Sequence, residues 1–170
     1  MDGTNSVGLT MQRQTQLLVS ELQQLSQEAY IDFARHFSKL YGDACRNDLW
    51  AVAYVVMGGC SDDGFMDFRK WLVTRGKAVY YAALRDSDSL GDEFDKIPDG
   101  EMPLWEYYVE RQFDRRFGAG AYNAVYERYD FAAFGPNRLR DPENQWSDDD
   151  ASFQKLCPKV FDKWNNNRRF

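Results

Sequence analysis

Apolar residues recur at spacings of three and four along most of the chain, with polar residues between them. From Met11, the residues Leu17, Leu18, Val19, Leu22 and Leu25 stand among Gln and Glu, which predicts a first helix. Ser26 supplies an N-cap for a second, in which Tyr30, Phe33, Phe37 and Leu40 share a face. Asp32, Arg35, His36 and Lys39 take its polar side, and Gly42 is placed to end it. Asn47 or Asp48 opens a third segment, Leu49 to Met57, which is apolar almost all round, as a central buried helix is. Val52, Tyr54, Val55 and Val56 would also suit a strand; the helical neighbours favour helix. Gly58-Gly59 stops it. Ser61 then caps a fourth helix, with Asp62 and Asp63 in its electropositive first turn. Phe65, Phe68, Trp71 and Leu72 form its apolar face, Gly76 marks its end, and Lys77 to Leu84 reads as one short further helix.

The pattern breaks at Asp86 to Pro103, where Pro98, Gly100 and Pro103 among acids predict a long loop or short helical turns. Helical spacing resumes through Leu104, Trp105, Tyr108, Val109, Phe113 and Phe117, and again from about Ala119 to Tyr129. Phe134 to Asp150 is irregular by composition, and Ser152 to Trp164 returns to a short helix interrupted or entered at Pro158. The expected fold is all-α, a single domain of six to eight helices over residues 11–170 behind a flexible polar tail over 1–10. Trp50, Val55, Phe65, Phe68 and Leu72 are expected in its core.

Composition agrees with this picture. The chain has 170 residues, 44% hydrophobic and 28% charged, the profile of a globular domain rather than a disordered one. No apolar run is long enough to span a membrane, and the first residues carry neither a basic nor an apolar leader, so a cytoplasmic domain is expected. Charge adds something the periodicity does not. The net charge is -6, and residues 1–85 balance at nine acidic and nine basic side chains. Most of the excess lies between Asp86 and Glu110, with nine acids and only Lys96 against them. A field of that sign repels nucleic acid and anionic lipid and attracts basic protein surfaces.

The stretch from Asp48 to Leu90 carries a family resemblance. Leu49-Trp50, an apolar helix, Gly58-Gly59-Cys60-Ser61-Asp62-Asp63, Phe65, then Phe68-Arg69, Trp71-Leu72 and Gly76 stand in a characteristic order. In this the chain resembles a bacterial family catalogued as domain of unknown function 4240, whose members sometimes accompany a WGR domain. Phe33, His36 and Phe37 upstream, and Leu156, Cys157, Pro158 and Trp164 near the end, are similar too. The family's usual Phe-Trp opening is missing, and Leu104 to Arg140 is less typical. The resemblance implies a bacterial, cytoplasmic, mainly helical domain and transfers no catalytic residue.

Gly58 to Gly64 is the most distinctive local sequence. A helix C-cap followed directly by a Ser N-cap with dipole-matched Asp residues accounts for it. It lacks a phosphate-binding pattern, and its two carboxylates would repel an anion. Cys60 with His36, the sole histidine, could form a thiolate pair, but Asp62 and Asp63 would raise the thiol pKa. The scattered cysteines Cys45, Cys60 and Cys157 and the single His suggest neither a disulfide framework nor a zinc site. Asp86-Ser-Asp88-Ser-Leu90-Gly91 imitates a calcium loop, yet Leu90 and Ile97 stand where oxygen ligands are required. Neither a metal nor a cofactor is expected. Pairs such as Glu106/Glu110 and Asp62/Asp63 could serve acid–base chemistry, while surface placement is the plainer reading. Tyr107, Tyr108, Tyr122, Tyr126 and Tyr129, with Trp105 and Trp146, exceed what one helix pair hides, and Tyr, Trp and Arg are enriched in interface hot spots.

Two functions compete. The favoured one is a non-enzymatic domain binding a basic protein partner, in the manner of immunity proteins and antitoxins that block a toxin. There Asp92, Glu93 and Asp95 would steer association, and Trp105, Tyr108 and Arg111 would supply anchoring contacts. Gly58, Gly59, Ser61, Asp62, Asp63 and Arg69 would be a structural motif. The alternative is a small intracellular enzyme using Asp/Glu pairs or Cys60.

Overall fold

The computed structural model describes residues 11–93, 105–128, 139–141 and 143–164; the side chains of residues 11, 12, 105–107 and 128 are outside that description. The helices are α1 (Met11–Leu22), α2 (Gln27–Asp43), α3 (Asn47–Met57), α4 (Asp62–Thr74), α5 (Lys77–Arg85), α6 (Trp105–Phe117), α7 (Ala121–Arg128), α8 (Asp150–Leu156) and α9 (Pro158–Trp164). A 3-10 helix, Ser87–Asp92, follows α5. The fold is all-α. Among the described residues the helices are more numerous than the expected six to eight. Cys157 takes an extended φ of -146°, and Pro158, whose fixed φ suits a first helical position, starts a new helix after it. Residues 1–10, expected to be a tail, lie outside the described residues.

Gly42 does not end α2. The helix runs to Asp43, because the Gly42 carbonyl accepts from Cys45 N at 3.1 Å and from the Arg140 guanidinium at 3.3 Å. Gly58 ends α3 as expected. It adopts φ 67° and Gly59 φ 119°, left-handed conformations that favour glycine.

Two apolar clusters form. In the larger, α3 is enclosed by α4, α8, α9 and the 3-10 helix, so Leu49, Ala51, Val52, Ala53 and Val55 are all fully buried. That enclosure accounts for most of the apolar surface of α3, while Trp50, Tyr54 and Val56 stay half-buried and Met57 is exposed. Phe65, Phe68, Trp71 and Leu72 of α4 join it, as do Phe153, Val160 and Phe161. Trp50, expected in the core, is only half-buried, with its indole nitrogen donating to the Cys60 carbonyl at 2.9 Å. The smaller cluster packs α6 against α1, α2 and α7 through Leu22, Tyr30, Ala34, Val109, Phe113 and Tyr122. Tyr30 fixes α6 by donating to the Val109 carbonyl at 2.7 Å. Helix α2 belongs to both halves, since it also packs on α4 and its Leu40 carbonyl accepts from Tyr80 at 2.7 Å.

Three carboxylates lock helix starts from outside the helix they serve. Asp141 accepts from the backbone of Asn47 at 2.6 Å and Asp48 at 3.1 Å, at the start of α3. Asp88 accepts from Lys159 at 3.1 Å and Val160 at 2.9 Å, at the start of α9. Asp114 accepts from Gly120 at 2.9 Å and Tyr122 at 2.8 Å, at the start of α7. Each anion meets unsatisfied backbone donors at the positive end of a helix dipole.

Ser61 caps α4 as its sequence position predicts, its hydroxyl accepting from Gly64 N at 3.2 Å. Replacing it with Ala is expected to cost about 0.5–2 kcal/mol of stability while leaving binding intact. Thermal melts and a binding isotherm of Ser61→Ala check this, and lost binding at unchanged stability would make Ser61 functional.

Candidate functional site

The sequence-predicted docking residues fall in two parts of the fold. Asp92 ends the 3-10 helix and is exposed, with Lys163 Nζ 4.0 Å from it, and Glu93 beside it is half-buried. Asp95 lies outside the described residues, as does the side chain of Trp105. Tyr108 is half-buried and Arg111 exposed on α6, which packs on α1, α2 and α7. The 3-10 helix instead packs on α3, α5 and α9. An open hollow of about 360 Å³ lies beside Arg111, lined by Glu110, Asp114, Arg115 and Ala119.

Part of the acidic stretch is already engaged. Asp86 caps its own 3-10 helix by accepting from Asp88 N at 3.1 Å, and Asp88 holds α9. Both aspartates of the calcium-loop-like sequence are thus engaged by backbone N–H groups. Among the described residues no group of three or more His, Cys, Asp or Glu converges as metal ligands.

Cys60 and His36 share no hydrogen bond. The His36 ring hydrogen-bonds the Asp32 carbonyl of its own helix through Nδ1 at 2.8 Å and is exposed. Cys60 is buried at the turn into α4, and burial, with a smaller effect from Asp67, pushes its thiol from 9.0 up to about 12. A thiol so disposed is a poor nucleophile at neutral pH. The expected outcome is that Cys60 resists a thiol reagent at pH 8 in the native protein and reacts at once on unfolding. The raised thiol also sets a pH dependence. Its contribution to stability is complete below pH 9 and is lost as the pH climbs toward 12, because only the unfolded chain releases that proton in the interval. Urea midpoints at pH 8 and pH 10.5 check the sign, and a midpoint that rises with pH would contradict it.

Arg69 is buried with only 1% exposure. Its guanidinium lies 4.0 Å over the Tyr41 ring and donates to the Tyr41 hydroxyl at 2.8 Å, tying α4 to α2. Arginine is suited to this because it is weakly hydrated and stacks on aromatic faces.

Sequence reasoning missed two groupings. One is the polar knot of Arg46, Asn47, Asp48 and Asp141. Arg46 donates to both Asp48 oxygens at 3.0 and 2.9 Å and stands 3.9 Å from Asp141. Burial raises the Asp48 pKa, opposed by the bond from Arg46. The other is an aromatic edge. Trp50 lies parallel to Phe65 at 5.0 Å and meets Trp146 edge-on at 6.3 Å, and Trp146 lies 5.2 Å from Tyr54. All three of Trp50, Tyr54 and Trp146 are half-buried. The Tyr54 hydroxyl donates to Asp148 at 2.6 Å. Beyond the Trp50–Cys60 bond the chain enters α4 with Asp62 and Asp63 exposed; beyond Trp146 it enters α8 with Asp148, Asp149 and Asp150 exposed. Five exposed aspartates therefore follow closely on the residues of one aromatic edge, Asp148 bonded to Tyr54 and Asp149 capping α8 by accepting from Ser152 N at 2.8 Å. The clue in the sequence was Trp146 followed closely by three aspartates, in a segment whose composition otherwise reads as loop.

No helix among the described residues is long and apolar enough to cross a membrane. No curated protein and no solved structure matches the chain. A family model described as a protein of unknown function (DUF4240) matches residues 4–115, taking in the whole Trp50 to Gly76 motif and its buried Arg69. On that match, which spans more than half of its length, the chain belongs to the DUF4240 family.

Proposed function

We propose that this chain is a non-enzymatic domain that binds a basic protein partner. The observation that carries the reading is the half-buried Trp50, Tyr54 and Trp146 with exposed aspartates following closely on them. Aromatic side chains inside a charged rim are the usual make-up of an interface with a few energetic anchors. The carboxylates would draw a basic surface in by long-range attraction, and the rings would hold it. An immunity-protein or antitoxin-like inhibitor covering a basic active site is a protein of this kind. Asp92, Glu93 and Asp95 remain proposed steering charges, with Trp105, Tyr108 and Arg111 as proposed anchors. Against the enzymatic reading stands the buried, protonated Cys60.

The test is kinetic. The chain is used to capture its partner from host extract, and association and dissociation rates are measured at two salt concentrations. Asp62→Asn/Asp63→Asn/Asp150→Asn is expected to slow association and flatten its salt dependence, with dissociation nearly unchanged. Asp92→Asn/Glu93→Gln/Asp95→Asn assays the second acidic area in the same way. Association unaffected by either triple variant sinks the docking role.

A further inference from the structure

The chain carries a surface of the opposite sign. On α5, Lys77, Tyr81 and Arg85 are four residues apart, which places them along one face of the helix. All three are exposed, and Tyr81, at 42%, is the most exposed large apolar side chain among the described residues. With Ala78 they line a shallow hollow of about 550 Å³. Neither Lys77 nor Arg85 makes an ion pair among the described residues. Elsewhere on the surface, by contrast, Lys39 pairs with Asp43 and Arg35 with Asp32. An aromatic ring between two uncompensated cations is a face suited to an acidic, aromatic counterpart.

This chain displays such a counterpart itself, in the acidic edge around Trp50 and Trp146. We propose that the α5 face docks on that edge of a second copy. The edge adjoins the first turn of α4 and α5 begins after its last, at the other end of a helix about 20 Å long. A contact between different surfaces of identical chains is head-to-tail. It also occupies the edge assigned to the basic partner, so self-association and partner binding exclude one another. The net charge of -6 argues against nucleic acid as the occupant, because the whole-chain field repels phosphates while a second copy offers its acids locally.

Sedimentation velocity across a concentration series tests this. The wild-type chain is expected to self-associate at low salt and to weaken by about tenfold or more when salt is raised to 0.5 M, because exposed charge pairs are screened. Lys77→Glu/Arg85→Glu should be monomeric, and so should Asp62→Lys/Asp63→Lys/Asp150→Lys, which leaves only Asp148 and Asp149 against three new lysines at the edge. Mixing these two variants should restore association as alternating head-to-tail assemblies, since the acidic α5 of one faces the reversed edge of the other and the unchanged basic α5 of the second faces the unchanged acidic edge of the first. Circular dichroism melts confirm that both variants fold. A wild-type chain that stays monomeric throughout, or a mixture that does not associate, overturns the inference. So does binding of labelled deca-glutamate or oligo-dT by wild-type monomers that is lost in Lys77→Glu/Arg85→Glu, which would make the face a site for an anionic ligand. Capture of the basic partner by the α5 variant is scored separately and tests the proposed function alone.

Discussion

Replacing Phe68 with Ala is expected to destabilise the protein by about 3–5 kcal/mol, the range for deleting a large ring from a closed core. Phe68 has no exposed surface; its ring lies 5.5 Å from Trp71 and 6.1 Å from Phe65. Those neighbours are themselves held, Phe65 against Trp50 and Trp71 in the same cluster. They have little room to relax into the cavity, so the upper half of the range is expected. Urea unfolding at constant slope is the measurement. A midpoint equal to wild type would remove Phe68 from the core.

Asp141→Ala is expected to cost about 3 kcal/mol, as breaking a buried charged network does. The substitution takes the acceptor from two backbone donors of α3 and from the Asn144 amide, which reaches it at 3.2 Å. It also removes a carboxylate near Arg46 that is 1% exposed. Asp141→Asn retains one acceptor oxygen and is expected to recover part of the loss. Because Asp141 fastens the chain ahead of Trp146, Asp141→Ala should also loosen the aromatic edge, read as a red-shifted tryptophan emission before unfolding. A variant as stable as wild type would show that α3 needs no external cap.

Most of the helical framework was legible because it rests on local causes. Ser26 and Ser61 cap α2 and α4 through bonds three residues long, and Gly58 and Gly59 end α3 because their φ values are positive. The apolar periodicity of α4 placed Phe65, Phe68 and Leu72 in the core without reference to any partner. The even apolarity of Leu49 to Met57 announced the burial of Leu49, Ala51, Val52, Ala53 and Val55, but not that Trp50, Tyr54 and Val56 stay half-buried and Met57 exposed. The family resemblance rested on the same residues, and the family match covers them.

The candidate edge was not legible, for a physical reason. Trp50 and Trp146 are separated by most of the chain, and Tyr54 bonds Asp148 across 94 positions. Neither contact leaves a periodic trace, since irregular segments carry no spacing rule. The acidic stretch shows the converse. Its charge was plain in the sequence, but which acids are spent as caps and which face solvent depends on where α9 arrives. Asp88 is bound at the start of α9, 71 positions ahead, whereas Asp92 stays exposed. What the sequence by itself determined is the all-α class, the helix boundaries set by caps and glycines, and the buried faces, all consequences of interactions within a few residues. Only the tertiary structure decided that Asp88, Asp114 and Asp141 close distant helix starts and that Trp50 sits half-exposed beside Trp146. These are long-range contacts, which depend on how helices cross and which no local pattern encodes.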